Sequence, residues 1–379
     1  MKIAILHPKM HARGGAENLI LWFAREAVRQ GHAVRVESIA PAVPWPDEVG
    51  FAARELDLRL WKWTRLAREL TESLAGEDLV IVHSFPASIY AEFARSRLAR
   101  RAVVRPRFVW YCHEPPRPYY GDHPEEARTL ARRRLLRLDF GGMNSIRMDR
   151  RAARRADLRL ANSARTALHA AFTYGVPFQP VHPGLPDDMV DPAPRPAGRD
   201  FVFVGRLHAV KNPLIVIRAY AAFLQRRPQS SAELTLAGEG PALAECRSLV
   251  AALGLSRRVH LPGFVSDAAL REIFRGALAI LNTPRDEPFG LVTLEAWAAS
   301  RAVVLSRDSG SAEIAADRRD AWLVHPGDES ALTEAMICLA DEPATAEALG
   351  QRGWQRLQGG YLIRHHVDAL LRAAQMPGS

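Results

Sequence analysis

The sequence predicts an α/β protein built of two doubly wound, parallel-sheet domains, and three observations carry that expectation. Short β-branched or aromatic runs alternate with helical stretches; such alternation gives a parallel sheet covered by helices on both faces. Five prolines and two glycines between Pro183 and Gly198 then interrupt the pattern as a linker would. Beyond them the alternation restarts. The expected domains are residues 1–190 and 191–360, with 361–379 forming a C-terminal helix that either stays on the second domain or crosses back to the first, a choice the pattern alone leaves open.

The first domain opens with Ile3 to Leu6, an apolar run of strand length, followed by Ala16, Leu19, Ile20, Phe23 and Ala27 at helical spacing up to Gly31. Val34 to Val36, Leu79 to Val82, Phe108 to Cys112 and Leu158 to Ala161 read as its further strands. After the linker, Phe201 to Val204, Leu234 to Leu236, Val259 to Leu261, Ala277 to Leu281, Val303 to Leu305 and Trp322 to Val324 read as the second set. Two such domains of similar size are expected to face a central cleft.

Composition narrows the function. With 48% apolar and 25% charged residues the chain is globular rather than disordered. No apolar run reaches the ~18 residues of a membrane span, and only four apolar residues separate Lys2 from His7-Pro8, too few for a signal peptide, so a cytoplasmic protein is expected. The three cysteines lack Cys-x-x-Cys spacing, which offers neither a disulfide framework nor a cysteine zinc site.

The net charge of +9 has its whole excess before residue 195, in patches at Arg95 to Arg107, Arg128 to Arg137 and Arg147 to Arg159. Either these are solvated helix faces or they meet an anionic membrane surface as a peripheral contact on its inner face. Nucleic acid is not expected, because the patches carry no interleaved aromatics and no recognised module. Lysine is scarce: of 47 arginines and four lysines, the one lysine after residue 195 is Lys211. A compact ammonium there, in a chain that otherwise uses arginine, points to a specific contact.

Ligands of open parallel sheets sit beyond the carboxyl ends of the strands. His7, His83 and His113 each directly follow a strand-like run, which puts all three on one edge of the first sheet. Gly14-Gly15 lies between the first strand and helix, where missing side chains let backbone N–H groups approach an anion. The spacing matches neither the dinucleotide nor the P-loop glycine pattern. In the second domain, Arg206 and Lys211 sit five apart after Gly205 and before Asn212-Pro213, aiming two cations at one diphosphate. Gly238-Glu239-Gly240 follows the next strand as a close-approach loop.

The sharpest segment is Asp286-Glu287-Pro288-Phe289-Gly290-Leu291-Val292-Thr293-Leu294-Glu295-Ala296. Pro-Phe-Gly marks where loop becomes helix, the first-turn N–H groups face a phosphate or sugar hydroxyl, and Glu295, about two turns in, is placed to accept bonds from a ribose diol.

That segment resembles the Glu-x7-Glu signature of retaining glycosyltransferases of family 4, which have the GT-B fold of two Rossmann-like domains. The resemblance runs over nearly the whole chain, through Gly14-Gly15-Ala16-Glu17, Asn162-Ser163, Gly205-Arg206, Lys211-Asn212-Pro213, Gly238-Glu239-Gly240 and Gly263-Phe264. It implies that Glu287 and the backbone of Phe289, Gly290 and Leu291 hold the donor sugar and phosphates, that Glu295 binds the ribose, and that Arg206 and Lys211 bind the diphosphate. Gly14, Gly15, Gly238 and Phe264 complete the donor-binding set. Trp110-Tyr111-Cys112-His113-Glu114-Pro115 is similar to a stretch of mannosyltransferases of lipid-linked oligosaccharide and surface-polysaccharide assembly. This implies GDP-mannose as donor, a glycan or lipid-linked acceptor, and contact of His113 with the sugar or diphosphate near the reacting carbon, His113 and Glu287 being the catalytic residues.

Two loops depart from the family pattern. Ala298-Ala299-Ser300-Arg301-Ala302-Val303 stands where the family reads Ala-x-Gly-x-Pro-Val, and Ser309-Gly310-Ser311-Ala312-Glu313 where it reads Gly-Gly-x-x-Glu. No cofactor or metal is expected, since two cations and oriented N–H groups stabilise a leaving diphosphate and the nineteen aspartates include no Asp-x-Asp pair. The competing readings are a UDP-sugar transferase of the same fold, a sugar-nucleotide epimerase, and a catalytically silent membrane-associated partner.

Overall fold

The computed structural model describes residues 1–8, 10, 14–38, 49–53, 60–101, 105–120 and 142–376. The arginine patch Arg128 to Arg137 lies outside the described residues. The chain forms two compact units, Met1–Pro183 with Ile363–Ser379, and Gly184–Leu362.

The first unit holds β1 (Lys2–Leu6), α1 (Gly15–Arg29), β2 (Ala33–Ser38), β3 (Gly50–Ala53), α2 (Leu60–Leu74), β4 (Leu79–His83) and α3 (Ala87–Leu98). It continues through β5 (Arg107–Cys112), α4 (Arg117–Tyr120), α5 (Gly142–Arg155), β6 (Leu158–Ala161), α6 (Ala164–Tyr174) and β7 (Gln179–Pro180). The seven strands are parallel in the order β3-β2-β1-β4-β5-β6-β7. Ile3, Ala4, Ile5, Val80 and Ile81 are fully buried, as expected where helices cover both faces and central strands run nearly continuously apolar. The sequence patterns missed β3, a Gly-Phe-Ala-Ala segment poor in β-formers, and β7, two residues whose proline is tolerable at a sheet edge.

The second unit holds β8 (Asp200–Val204), α7 (Pro213–Arg226), β9 (Leu234–Ala237), α8 (Leu243–Ala252), β10 (Val259–Gly263), α9 (Asp267–Gly276), β11 (Ala277–Asn282) and α10 (Val292–Ala298). β12 (Ala302–Ser306), β13 (Trp322–Val324), α11 (Glu329–Asp341) and α12 (Pro343–Gly360) follow. Its sheet is parallel in the order β10-β9-β8-β11-β12-β13. The last helix, α13 (Ile363–Gln375), belongs to the first unit: Gln30 Nε2 donates to Asp368 Oδ1 (3.1 Å), and the His366 ring meets Phe23 edge-on at 6.0 Å.

In each unit the strand order reverses once, between β1 and β4 and between β8 and β11. At such a point neighbouring loops leave to opposite faces of the sheet and open a crevice at the strands' carboxyl ends.

Candidate functional site

In the second unit the site grows from the ends of β8, β9 and β10. Gly205 leaves β8 at φ 145° and donates its N–H to Ala237 O (3.1 Å), while buried Leu207 donates to Glu239 O (2.8 Å). Gly238 and Gly240 pack against this loop so closely that added Cβ atoms would lie 2.0 Å from Gly205 O and 2.3 Å from Leu207 O. The glycines are thus required by loop-on-loop packing, a need the sequence did not separate from ligand approach. Gly238 N–H donates to Gly263 O (2.8 Å), tying in the end of β10. The result leaves Arg206 exposed between two anchored residues and Phe264 77% exposed.

The Lys-Asn-Pro segment has a local reason for each residue. A 3₁₀ turn at Ala209–Lys211 ends in Asn212 at φ 57°, a left-handed conformation that asparagine tolerates, and Pro213 opens α7 with its fixed φ. Asn212 Nδ2 donates to Thr283 O (2.9 Å) and Arg285 N–H to Val210 O (2.7 Å), so the loops after β8 and β11 are stitched together across the order reversal. There Lys211 Nζ forms an ion pair with Glu287 Oε2.

The Glu287 backbone is clamped by the loop after β12, with its N–H on Asp308 O (3.3 Å) and its carbonyl accepting from Gly310 N–H (2.9 Å). Phe289 is buried and its carbonyl accepts from Ser311 N–H and Ser309 Oγ, both at 2.8 Å. Ser309, at the family's glycine position, thereby contributes a hydroxyl that fastens the Pro-Phe-Gly turn; Ser311 Oγ continues the link to Thr293 Oγ1 at 2.8 Å. The other departure is also accommodated. Ser300 adopts φ 53°, where glycine is normally preferred, and Arg301 is buried with Nη1 on Pro196 O at 2.6 Å.

Gly290 at φ 92° delays the helix, so α10 starts at Val292 and Glu295 falls in its first turn. The expectation that Glu295 lies two turns in is corrected accordingly. Burial, and next the charge of Asp267 at the start of α9, push the Glu295 carboxyl up to about 7. Asp267 carried no signal in the sequence beyond its place after the Ser266 helix cap.

In the first unit, His7, His83 and His113 do share the carboxyl edge, on the adjoining strands β1, β4 and β5. His83 Nδ1 and His113 Nε2 are 2.8 Å apart, with the rings stacked at 5.1 Å. His7 Nε2 lies 3.3 Å from Glu17 Oε1, and Gly14, the residue before α1, leaves room for that carboxylate: a Cβ there would sit 2.7 Å from Glu17 Oε2. Gly15 opens the helix. Asn162 Nδ2 donates to His113 O (2.9 Å) and Ser163 Oγ caps α6 by accepting from Thr166 N–H, which accounts for the Asn162-Ser163 pair.

Burial, then the nearby His7, bring the His113 imidazole down to about 3, and burial, then His113, hold His83 well below its ordinary value. Both rings are therefore neutral at pH 7, so their contact joins one N–H to one lone pair. Burial raises the Glu17 carboxyl, but its hydrogen bonds to His7 and to its own backbone outweigh this and leave it below the usual range. A fourth imidazole, His366 of α13, lies edge-on to Tyr111 at 5.4 Å and is brought down to about 4 chiefly by burial. Nothing local in the sequence connects His366 to strands some 250 residues earlier.

Thus the structure joins Lys211, Glu287, Phe289 and Gly290 directly, links the Arg206, Gly238 and Phe264 segments through strand-end hydrogen bonds, and places Leu291 and Glu295 at the start of α10. Gly14, Gly15 and His113 belong to the first unit.

Residues 13–185 match the family described as Glycosyltransferase Family 4, and residues 188–356 the family described as Glycosyl transferases group 1. The D-inositol 3-phosphate glycosyltransferase of Arthrobacter sp. (strain FB24) is 28% identical over 243 residues, 58% of either chain. A second protein of that name, from Catenulispora acidiphila, is 30% identical over 216 residues, 52% of this chain and 51% of its own. The chain therefore spans about half the length of these curated relatives. Among solved structures, Anabaena HepE in complex with UDP superposes with a TM-score of 0.76 at 17% identity, covering 98% of this chain and 99% of its own. WaaG, a glycosyltransferase involved in lipopolysaccharide biosynthesis, does so at 0.71 and 16%, covering 99% and 100%. The fold is GT-B, and the chain is composed of a glycosyltransferase family 4 domain followed by a glycosyltransferase group 1 domain.

Proposed function

We propose that the protein is a retaining glycosyltransferase that moves a hexose, mannose from GDP-mannose, onto a glycan or lipid-linked acceptor. The observation that carries this reading is the Lys211–Glu287 pair at the strand-order reversal of the second unit, where a doubly wound sheet offers its ligand crevice. In the reaction the bond between the sugar's anomeric carbon and the diphosphate oxygen breaks, and negative charge grows on the leaving group. Lys211 and exposed Arg206 stabilise that charge without need of a metal. Glu287 holds the sugar hydroxyls, Phe264 offers a face for the base, and Glu295 accepts from the ribose diol. Attack comes from the leaving-group face, the departing phosphate taking the acceptor proton. His113 takes the catalytic role that the resemblance implies as a neutral hydrogen-bonding group rather than a cation.

A second donor reading is favoured by solved neighbours that contain UDP or UDP-glucose: a UDP-sugar in the same site. A thermal-shift panel of GDP, UDP and ADP sugars separates the two. A ligand at about 100 times its Kd adds roughly 2.7 kcal/mol, several degrees for a protein of this size. GDP-mannose is expected to give the largest shift. A larger shift with UDP-glucose replaces the donor, and no shift with any nucleotide sugar removes the reading. Release of free epimerised nucleotide sugar without an acceptor would instead favour an epimerase.

A further inference from the structure

In the first unit α3 packs between α2 and α5, and α5 against α6, so these helices form one layer. Between α3 and α5 runs a groove of about 630 Å³ whose charged lining is Glu92, Arg95, Arg97, Arg100, Arg151 and Arg155. Glu92 is buried and is shared by Arg95 Nε (2.8 Å), Arg155 Nη1 (3.2 Å) and Arg151 Nε (3.4 Å). Five guanidinium groups against one carboxylate leave a surplus of four positive charges in the groove. Arg97 and Arg100 have no carboxylate partner among the described residues, and Arg151 and Arg155 remain 61% and 48% exposed.

Favourable interaction with helix C-termini explains one or two such arginines per helix, not five converging on one groove. Next in the layer, α6 exposes Leu168 (74%) and Phe172 (91%), one helical turn apart on the same face. Exposed side chains of a layer that covers one sheet face look to the same side. A free phosphate ion or a soluble polyanion has no use for an exposed leucine and phenylalanine; a bilayer uses both, taking cations at its headgroups and apolar side chains just below.

We propose that this helical layer docks on an anionic phospholipid bilayer, with lipid phosphates entering the α3–α5 groove and Leu168 and Phe172 inserted at the headgroup boundary. The surface is separate from the donor site and stands whether or not the donor assignment does.

The test is co-sedimentation of the full chain with vesicles of phosphatidylcholine alone or with about 30% phosphatidylglycerol, at low salt and at about 0.5 M salt. The expected result is pelleting only with the anionic vesicles, reduced by salt. Combined Arg97→Glu and Arg100→Glu substitutions should weaken that binding by about tenfold or more, each basic contact being worth roughly fivefold. Combined Leu168→Ser and Phe172→Ser should weaken it at both salt levels, and neither pair should move the melting temperature, because all four side chains lie outside the core. Equal pelleting with neutral vesicles, no pelleting with either kind, or unchanged binding by both variants overturns the proposal. So does a melting shift of the parent, but not of the double arginine variant, by inorganic pyrophosphate without vesicle binding, which would make the groove a site for soluble anions.

Discussion

Lys211 Nζ and Glu287 Oε2 form an ion pair that bridges the loops after β8 and β11. The two residues are therefore each other's partner in the absence of ligand, and a diphosphate that takes Lys211 must draw it away from Glu287. On the proposed function, diphosphate binding would thereby be coupled to release of the carboxylate toward the sugar hydroxyls.

The coupling gives the two substitutions opposite signs for nucleotide binding. Lys211→Met removes a charge-assisted contact of about 1.5–3 kcal/mol, and GDP affinity should fall by roughly 10- to 150-fold. Glu287→Gln removes the competitor, so GDP affinity should hold or rise while sugar transfer drops by roughly a hundredfold or more. Isothermal titration with GDP alongside a transfer assay checks both; a fall in GDP affinity for Glu287→Gln would contradict the competition.

Glu295 should make nucleotide binding depend on pH. Its carboxyl is raised to about 7, so below that value the folded protein carries it protonated and above it ionised. On the proposed function two ribose hydroxyls donate to the ionised form, hence affinity should increase as pH rises from 6 to 8, by up to tenfold per unit below the pKa. Binding should release a proton from Glu295 to the buffer, measurable in buffers of different ionisation enthalpy. The Glu295→Gln variant should bind more weakly at pH 8 with a flat profile.

Gly238→Ala should destabilise the second unit. Its φ of 143° is strained for any L side chain, and the new Cβ would fall 2.0 Å from Gly205 O, in a residue whose own N–H is fixed on Ala237 O. Backbone strain alone costs about 1–3 kcal/mol. Gly276→Ala is the control: nothing lies within 4 Å of its added Cβ. Urea unfolding should show a lower midpoint for the first variant only.

What could be read from the sequence was whatever local pattern dictates. The eleven strand runs placed on the sheets are mostly apolar and, in the central strands, buried, and Lys211-Asn212-Pro213 declares its geometry because asparagine and proline each fit one special backbone state. What stayed hidden was long-range or subtractive. His366 reaches the histidine edge from α13, Gly238 proves necessary for a neighbour's carbonyl, and Ser309 compensates for a missing glycine by a hydroxyl contact to a residue twenty positions away. The late start of α10 followed from the positive φ of Gly290, which composition does not announce.

Asp149 offers a test of the first unit that does not involve ligand. The carboxyl is fully buried in α5, accepts from Ser88 Oγ (2.8 Å) and Tyr174 OH (3.0 Å), and is raised to about 6, chiefly by burial. Relative to the ordinary aspartate value of 3.8 in the unfolded chain, the folded state holds the proton more tightly. Its contribution to stability is therefore full below about pH 4 and is lost as pH rises through 6. At pH 8 the ionised group costs on the order of 3 kcal/mol at one pKa unit per 1.36 kcal/mol. Asp149→Asn keeps the acceptor oxygen and removes the titration. The variant should match the parent near pH 4 and be more stable by about 2 kcal/mol at pH 8. Urea midpoints of the first unit's transition at the two pH values measure the difference; a variant less stable at pH 8 than at pH 4, relative to the parent, would mean that the hydroxyl donors hold Asp149 as the anion.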